Sequence, residues 1–128
     1  PLLSGQHYVK KALDPYARFV TDTLDGLVAA GVSAIVLDNV GVIRPGEAEA
    51  LSKWIEGGGV LIRFSGPALA EAAADASPSL VPAPLRGGGR AFGGALTWET
   101  PQKLGDFAER GPFFDMTPPP DVFIRRQI

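Results

Sequence analysis

The sequence predicts an α/β fold with a parallel sheet, and three observations carry this prediction. The stretches 32–37 and 60–64 are short, apolar and β-branched, as in strands that are covered on both faces. The segment between them starts with Pro45, shows helical spacing and ends at Gly57-Gly58-Gly59. Strand, helix and strand in this order predict a right-handed βαβ unit, within a three-layer sandwich whose regular part spans residues 15–74.

The first helix is predicted to start at Asp14-Pro15, because Asp suits an N-cap and Pro suits the first helical position. Apolar residues recur at helical spacing up to Val28, and Gly31 is a suitable stop. A break near residues 21–23 and a separate helical turn over residues 8–13 remain open alternatives. Because no strand precedes this helix, we expect the domain to be partial. The missing strand would come from an upstream part of the parent chain or from a neighbouring molecule.

The second helix carries one apolar stripe, made of Ala48, Leu51, Trp54 and Ile55. Acidic residues occupy its first turn, where the helix dipole favours them. A second strand over 60–64 and a short alanine-rich helix over 67–74 follow. Residues 75–128 are rich in proline and glycine, and they predict loops with short strands over 91–98 and 122–124. We expect one domain over residues 1–128.

Composition excludes several classes of function. A formal charge of −2 gives no broad reason to expect nucleic acid as a partner. The chain has no cysteine and one histidine, so we expect no disulfide, no metal site and no cofactor. No apolar run reaches the roughly 20 residues of a membrane-spanning helix, so we expect no membrane insertion by this fragment. Without an initiator Met or a signal peptide, the chain is expected to be a piece of a larger protein.

Polar residues follow both predicted strands and form the candidate ligand site. Asp38 and Asn39 lie beyond the carboxyl end of the first strand, where open α/β sheets bind ligands. The structural alternative is a turn before Gly41. Ser65 and Gly66 lie between a strand and a helix, where backbone N–H groups can bind an anion. The alternative there is a helix N-cap with a glycine for the turn.

Two further features suggest contacts. Arg63 is unusual in an apolar strand, and we expect it to meet either an anion or, as is more common, an Asp or Glu side chain. Phe113, Phe114 and Met116 could form an exposed apolar surface for a partner. Alternatively, these three side chains cover the sheet edge within the chain.

The residues 35–39, 47–55 and 57–62 together resemble the class I glutamine-amidotransferase-like fold, over about residues 32–67. The motifs 84–90, 93–98 and Pro101-Gln102 are similar to a segment of large bacterial membrane proteins, over about residues 32–127. Those proteins join an aerotolerance-type membrane region to a C-terminal domain of unknown function. The resemblance implies a flavodoxin- or amidotransferase-like sandwich, a soluble domain in a membrane-anchored protein, and favours the extracytoplasmic side.

The chain departs from the amidotransferase pattern, which uses a Cys on a tight turn after a strand with His and Glu downstream. Here the turn reads Phe64-Ser65-Gly66, and no His follows. We therefore expect no catalytic residues and a non-catalytic interaction or ligand-sensing domain. Its partners would be other segments of the parent, another protein or a second copy. The alternative is a hydrolase or transferase that uses Ser65 with acidic partners such as Asp38. A third hypothesis is a purely architectural spacer domain.

Overall fold

A computed structural model describes residues 5–75, 78–85, 96–111 and 113–127 of the chain. The helices are α1 (Gly5–Leu13), α2 (Leu24–Ala29), α3 (Pro45–Glu56) and α4 (Pro67–Asp75). The strands are β1 (Ala34–Asp38), β2 (Val60–Phe64), β3 (Leu96–Lys103) and β4 (Phe123–Gln127). The described residues thus mix helices with two small sheets, which confirms the α/β class.

The strands β1 and β2 pair in parallel, with Ile35 opposite Leu61 and Asp38 opposite Phe64. The helix α3 makes the crossover between them, as the sequence predicts. It starts at Pro45, and the main-chain N–H of Arg44 donates to the carboxylate of Glu47 (3.2 Å). It ends where Gly58 adopts a positive φ of 100°, a conformation that glycine tolerates. The predicted βαβ unit is therefore confirmed.

The core lies on one face of this strand pair. Ile35 of β1 and Leu51 of α3 are 1% and 0% exposed, and Leu37 and Ile43 complete the buried cluster. Apolar residues of α2 and α3 pack against it, namely Leu24, Leu27, Val28, Ala48 and Trp54. The indole of Trp54 also donates a hydrogen bond to the carbonyl of Val32 (3.1 Å), which joins α3 to the segment before β1.

Within the described residues, the opposite face of the strand pair is exposed along β2. Val60, Ile62 and Phe64 of β2 are 55%, 36% and 42% exposed and alternate with partly buried residues. The expectation that both strands are covered on both faces is therefore wrong for β2 in the described part of the chain. Helices α2 and α3 pack against one another on the core side, and two strands alone form the described parallel sheet.

The predicted helix that starts at Asp14-Pro15 is also wrong. The helix α1 ends at Leu13, and residues 14–16 form a turn in which the N–H of Tyr16 donates to the carbonyl of Leu13 (2.8 Å). A residue before proline avoids the helical region, so Asp14-Pro15 ends a helix instead of starting one. The next helix starts only after Thr23, whose hydroxyl accepts a hydrogen bond from the N–H of Gly26 (3.2 Å).

The second sheet is the ribbon of β3 and β4, which pair antiparallel with an irregular register between Thr97 and Gln102. The predicted strand over 91–98 is described only from Leu96, and it continues to Lys103. The predicted last strand is confirmed, with bounds of Phe123–Gln127. Beyond isolated contacts, the ribbon does not pack along the described helices or along β1 and β2. Among the described helices, none is long and apolar enough to cross a membrane.

We expect Leu51→Ala to lower the free energy of unfolding by about 2–5 kcal/mol, because it removes a fully buried side chain from the centre of the core. Urea unfolding followed by circular dichroism measures this change. Val42→Ala is the matched control: Val42 is exposed, and its truncation should change the free energy by about 0.5 kcal/mol or less. Equal losses in the two variants would contradict a core centred on Leu51.

Candidate functional site

Parallel pairing brings the carboxyl ends of β1 and β2 to the same edge. Asp38 lies opposite Phe64, and the N–H of Asn39 donates to the carbonyl of Phe64 (3.1 Å). Asp38, Asn39, Ser65 and Gly66 therefore lie at this edge, as the sequence predicts from the positions of the two strands. The hydrogen bonds of each residue indicate its role at this edge.

Asn39 joins the end of β1 to the start of α4. Its backbone is left-handed (φ 55°), a region that Asn tolerates better than most residues, and its Oδ1 accepts a hydrogen bond from the N–H of Ala68 (2.8 Å). A Cβ atom on Gly66 would lie 2.3 Å from the same oxygen, so the side chain needs glycine at that position. Since Pro67 has no N–H, Asn39 caps the first free donor of α4 from a distant part of the sequence.

Ser65 does not take the capping role that its position suggested. The carbonyl of Gly66 accepts the first helical hydrogen bond, from the N–H of Ala70 (3.0 Å), which makes Gly66 the cap residue of α4. The side-chain cap comes from Asn39. Ser65 is exposed, and within the described residues its hydroxyl forms no hydrogen bond to another residue.

Asp38 binds the start of α1. Its carboxylate accepts a hydrogen bond from the N–H of Gln6 (3.2 Å), and a Cβ on Gly5 would lie 2.8 Å from both carboxylate oxygens. A negative charge at a helix N-terminus is stabilising because the orphan N–H groups carry partial positive charge. The first turn of α1 thus occupies the position beyond β1 at which the fold rule places a ligand.

Arg63 holds two loops together through main-chain carbonyls. Its Nη1 donates to the carbonyl of Ser79 (2.7 Å), and its Nη2 donates to the carbonyl of Val40 and approaches that of Gly41 (3.5 Å). In the ranges that the structure describes, no Asp or Glu side chain forms an ion pair with it, in contrast to the expected pairing. Partial burial lowers the pKa of Arg63 from its usual range, although a guanidinium keeps its charge at neutral pH.

Gly41 allows the loop after β1 to approach α4. A Cβ on Gly41 would lie 2.4 Å from the carbonyl oxygen of Ala68, a distance that no real contact reaches. Leu69, Ala70 and Ala73 of α4 are buried. Asn39, Gly41 and Arg63 therefore act together to fix the loop that follows β1.

The predicted partner residues are exposed. Phe113, Phe114 and Met116 are 53%, 52% and 61% exposed, so about half of each side chain is accessible to water. Phe107 is half-buried beside Phe113, with ring centroids 5.4 Å apart. These residues belong to the connection between β3 and β4 and lie outside the βαβ unit that carries Asp38 and Arg63.

Within the described residues, Ser65 and Asp38 do not form a hydrogen bond with one another. The hydroxyl of Ser65 has no hydrogen-bonded acceptor in the described part of the chain, and the carboxylate of Asp38 accepts from the main chain of Gln6. No group of three His, Cys, Asp or Glu residues in the described ranges is placed to hold a metal ion. The contacts of Asp38, Asn39 and Arg63 position the loops and helices around the carboxyl ends of β1 and β2.

Two features escaped the sequence reasoning. The start of α1 contacts Asp38, and Gly5 permits this close approach. A single glycine near the chain start does not predict such a contact from the sequence. A shallow surface depression of about 590 Å³ lies between Lys10 of α1 and residues 14–19, and none of the candidate site residues lines it. The exposed side chain of Tyr16 contributes to its wall.

Comparisons of the chain with protein families, with curated proteins and with solved structures gave no match. The resemblance to amidotransferase-like domains therefore stays a prediction.

We expect Asn39→Ala to lower the free energy of unfolding by about 1–3 kcal/mol, because it removes a helix cap and leaves a less tolerant residue at positive φ. Asn39→Gly removes the cap alone and should cost less. Asn39→Asp keeps an oxygen acceptor for Ala68 and should stay within about 1 kcal/mol of the wild type. Thermal unfolding of the three variants gives the order, and an Asp variant as unstable as the Ala variant would contradict the cap.

We expect Arg63→Met to destabilise the chain by about 1–3 kcal/mol, because the carbonyls of Val40 and Ser79 lose their donor while the apolar stem is retained. Hydrogen exchange should increase most in residues 39–43 and 78–81. Arg125→Met is the control, since Arg125 is exposed on β4. Unchanged exchange at both loops would show that Arg63 does not hold them.

Proposed function

We propose that the chain is a non-catalytic interaction or ligand-sensing domain of a bacterial membrane-anchored protein. The observation that carries this proposal is the open apolar face of β2, formed by Val60, Ile62 and Phe64. Parallel strands are almost always covered on both faces, so an uncovered face on such a pair is a surface that another part of a protein can complete.

The register extends this face across both strands. In parallel pairing, opposite residues point to the same side, so Ala34 lies beside Val60 and Val36 lies beside Ile62. The face is thus apolar from Ala34 and Val60 to Phe64, and at its carboxyl end Asp38 lies beside Phe64 and contacts α1. Removing this area from water on binding supplies a driving force that scales with the apolar area buried.

We assign the occupant of this face to another segment of the parent protein. The expected parent is larger than this chain, and a helix or strand layer on the open face would complete the three-layer sandwich of the flavodoxin- or amidotransferase-like kind. The strand that we expected before the first helix would instead join the edge of the sheet, beside β1 or β2. The extracytoplasmic location belongs to this proposal and depends on the family resemblance.

The polar residues at the strand ends support a role other than catalysis. Asp38, Asn39 and Arg63 are each engaged in a contact that fixes α1, α4 or a loop. The chain contains no cysteine, and its one histidine, His7, belongs to α1. Residues that hold the fold in this way are poorly placed to change partners during a reaction.

The alternative is a Ser65-dependent hydrolase or transferase. One observation favours it: Ser65 is exposed at a strand-to-helix turn, beside the cap residue of α4. A reactive serine of this kind should react with a fluorophosphonate probe, and Ser65→Ala should abolish the labelling. Absence of labelling in the full-length parent protein would remove the alternative.

We expect a photoreactive amino acid at position 62 to cross-link to another segment of the parent protein in intact cells, because Ile62 lies at the centre of the open face. The control places the same group at Lys53, which is exposed on α3 and paired with Glu49. Mass spectrometry of the products identifies the contact. Cross-linking at both positions, or at neither, would contradict a specific interaction through the open face.

A further inference from the structure

We infer that the chain associates head to tail, with α1 of one copy bound to the acidic aromatic segment of a second copy. The acidic aromatic segment is defined as residues 104–123, which connect β3 to β4 and include the first residue of β4. This inference is independent of the open face of β2, since it uses neither β1 nor β2.

The helix α1 carries an apolar stripe along one side. Tyr8, Val9, Ala12 and Leu13 recur at helical spacing and share one side of the helix. None of the residues of α1 is buried, and Tyr8 and Leu13 are exposed. Within the described ranges α1 is held at its first turn by Asp38 and does not pack along another helix or strand beyond isolated contacts.

Basic residues flank this stripe. At 3.6 residues per turn, Lys10 and Lys11 project on opposite sides of the stripe, each at about 60° from its edge. Both are exposed. Residues 5–18 contain three cations, Lys10, Lys11 and Arg18, and one anion, Asp14, so their formal charge is +2 with His neutral.

The acidic aromatic segment has the complementary character. It exposes Phe113, Phe114, Met116 and Val122. It also carries four exposed acids, Asp106, Glu109, Asp115 and Asp121, against one cation, Arg110, so its formal charge is −3. Aromatic residues and methionine form adaptable apolar surfaces that bind amphipathic helices.

The opposite charges of α1 and of the acidic aromatic segment favour a second copy of the chain as the binding partner of each. A short helix whose apolar stripe lies between two lysines is complementary in charge and apolar character to a segment with exposed aromatic residues and a formal charge of −3, and such complementarity directs association. The two surfaces differ, so the contact is heterologous, and each copy can use one surface to bind the preceding copy and the other to bind the next. An anionic membrane is the competing occupant for a basic amphipathic helix, and binding to phosphatidylserine vesicles distinguishes it from a second copy.

The test uses the full chain and sedimentation velocity over a range of concentrations at low and high salt. We expect an average mass above that of the monomer, which falls on dilution and in high salt because exposed charge pairs are screened. Lys10→Glu/Lys11→Glu and Asp115→Lys/Asp121→Lys should each weaken self-association by about tenfold, as expected for two exposed pairs. An equimolar mixture of the two variants should associate again, since each supplies one intact surface.

Glu56→Lys/Glu71→Lys is the matched control for the Asp115/Asp121 variant. It makes the same change in net charge at exposed positions of α3 and α4 and should leave self-association unchanged. Circular dichroism shows whether each variant is folded. A wild-type chain that is monomeric at all concentrations, or a mixture that fails to associate, would overturn the inference. Binding to phosphatidylserine vesicles without self-association would overturn it as well, in favour of a membrane surface.

Discussion

The parallel pairing of β1 with β2 is the constraint on which the rest of the structure depends. Parallel strands cannot be joined by a tight turn, so the chain returns through α3 and reverses at Gly57-Gly58-Gly59. Helices α2 and α3 pack together on one face of the β1–β2 sheet. Leu51 and Ile35 therefore lie at the centre of a core between this face and the two helices. The open face of β2 is the direct result of this one-sided arrangement.

The polar residues at the strand ends stabilise the fold through hydrogen bonds with the main chain. The sheet places Asp38 and Asn39 beside the start of α4, but each side chain accepts a hydrogen bond from a main-chain N–H. Arg63 donates to the carbonyls of the loops that follow β1 and α4. These polar groups, whose hydrogen bonds are formed with the main chain, therefore stabilise the loops and helix ends in defined positions.

The elements that could be predicted are those whose start and end are both marked by residues such as proline and glycine. Pro45 and the glycine triplet define α3, and the residues between them carry one apolar stripe. Asp14-Pro15 misled because the same dipeptide suits the start of a helix and its end. The partner of Arg63 could not be predicted, since main-chain carbonyls have no sequence signature. Nor does an apolar strand reveal whether its second face is covered within its own chain.

The separation of the β3–β4 ribbon from the βαβ unit affects how tightly its surface can bind. A lone two-stranded ribbon is marginally stable in water, and this one gains little from packing on the rest of the described chain. Part of the free energy of any contact with Phe113 or Met116 is therefore spent on restricting the conformations of the ribbon. Contacts of this kind are therefore weak for the area that they bury.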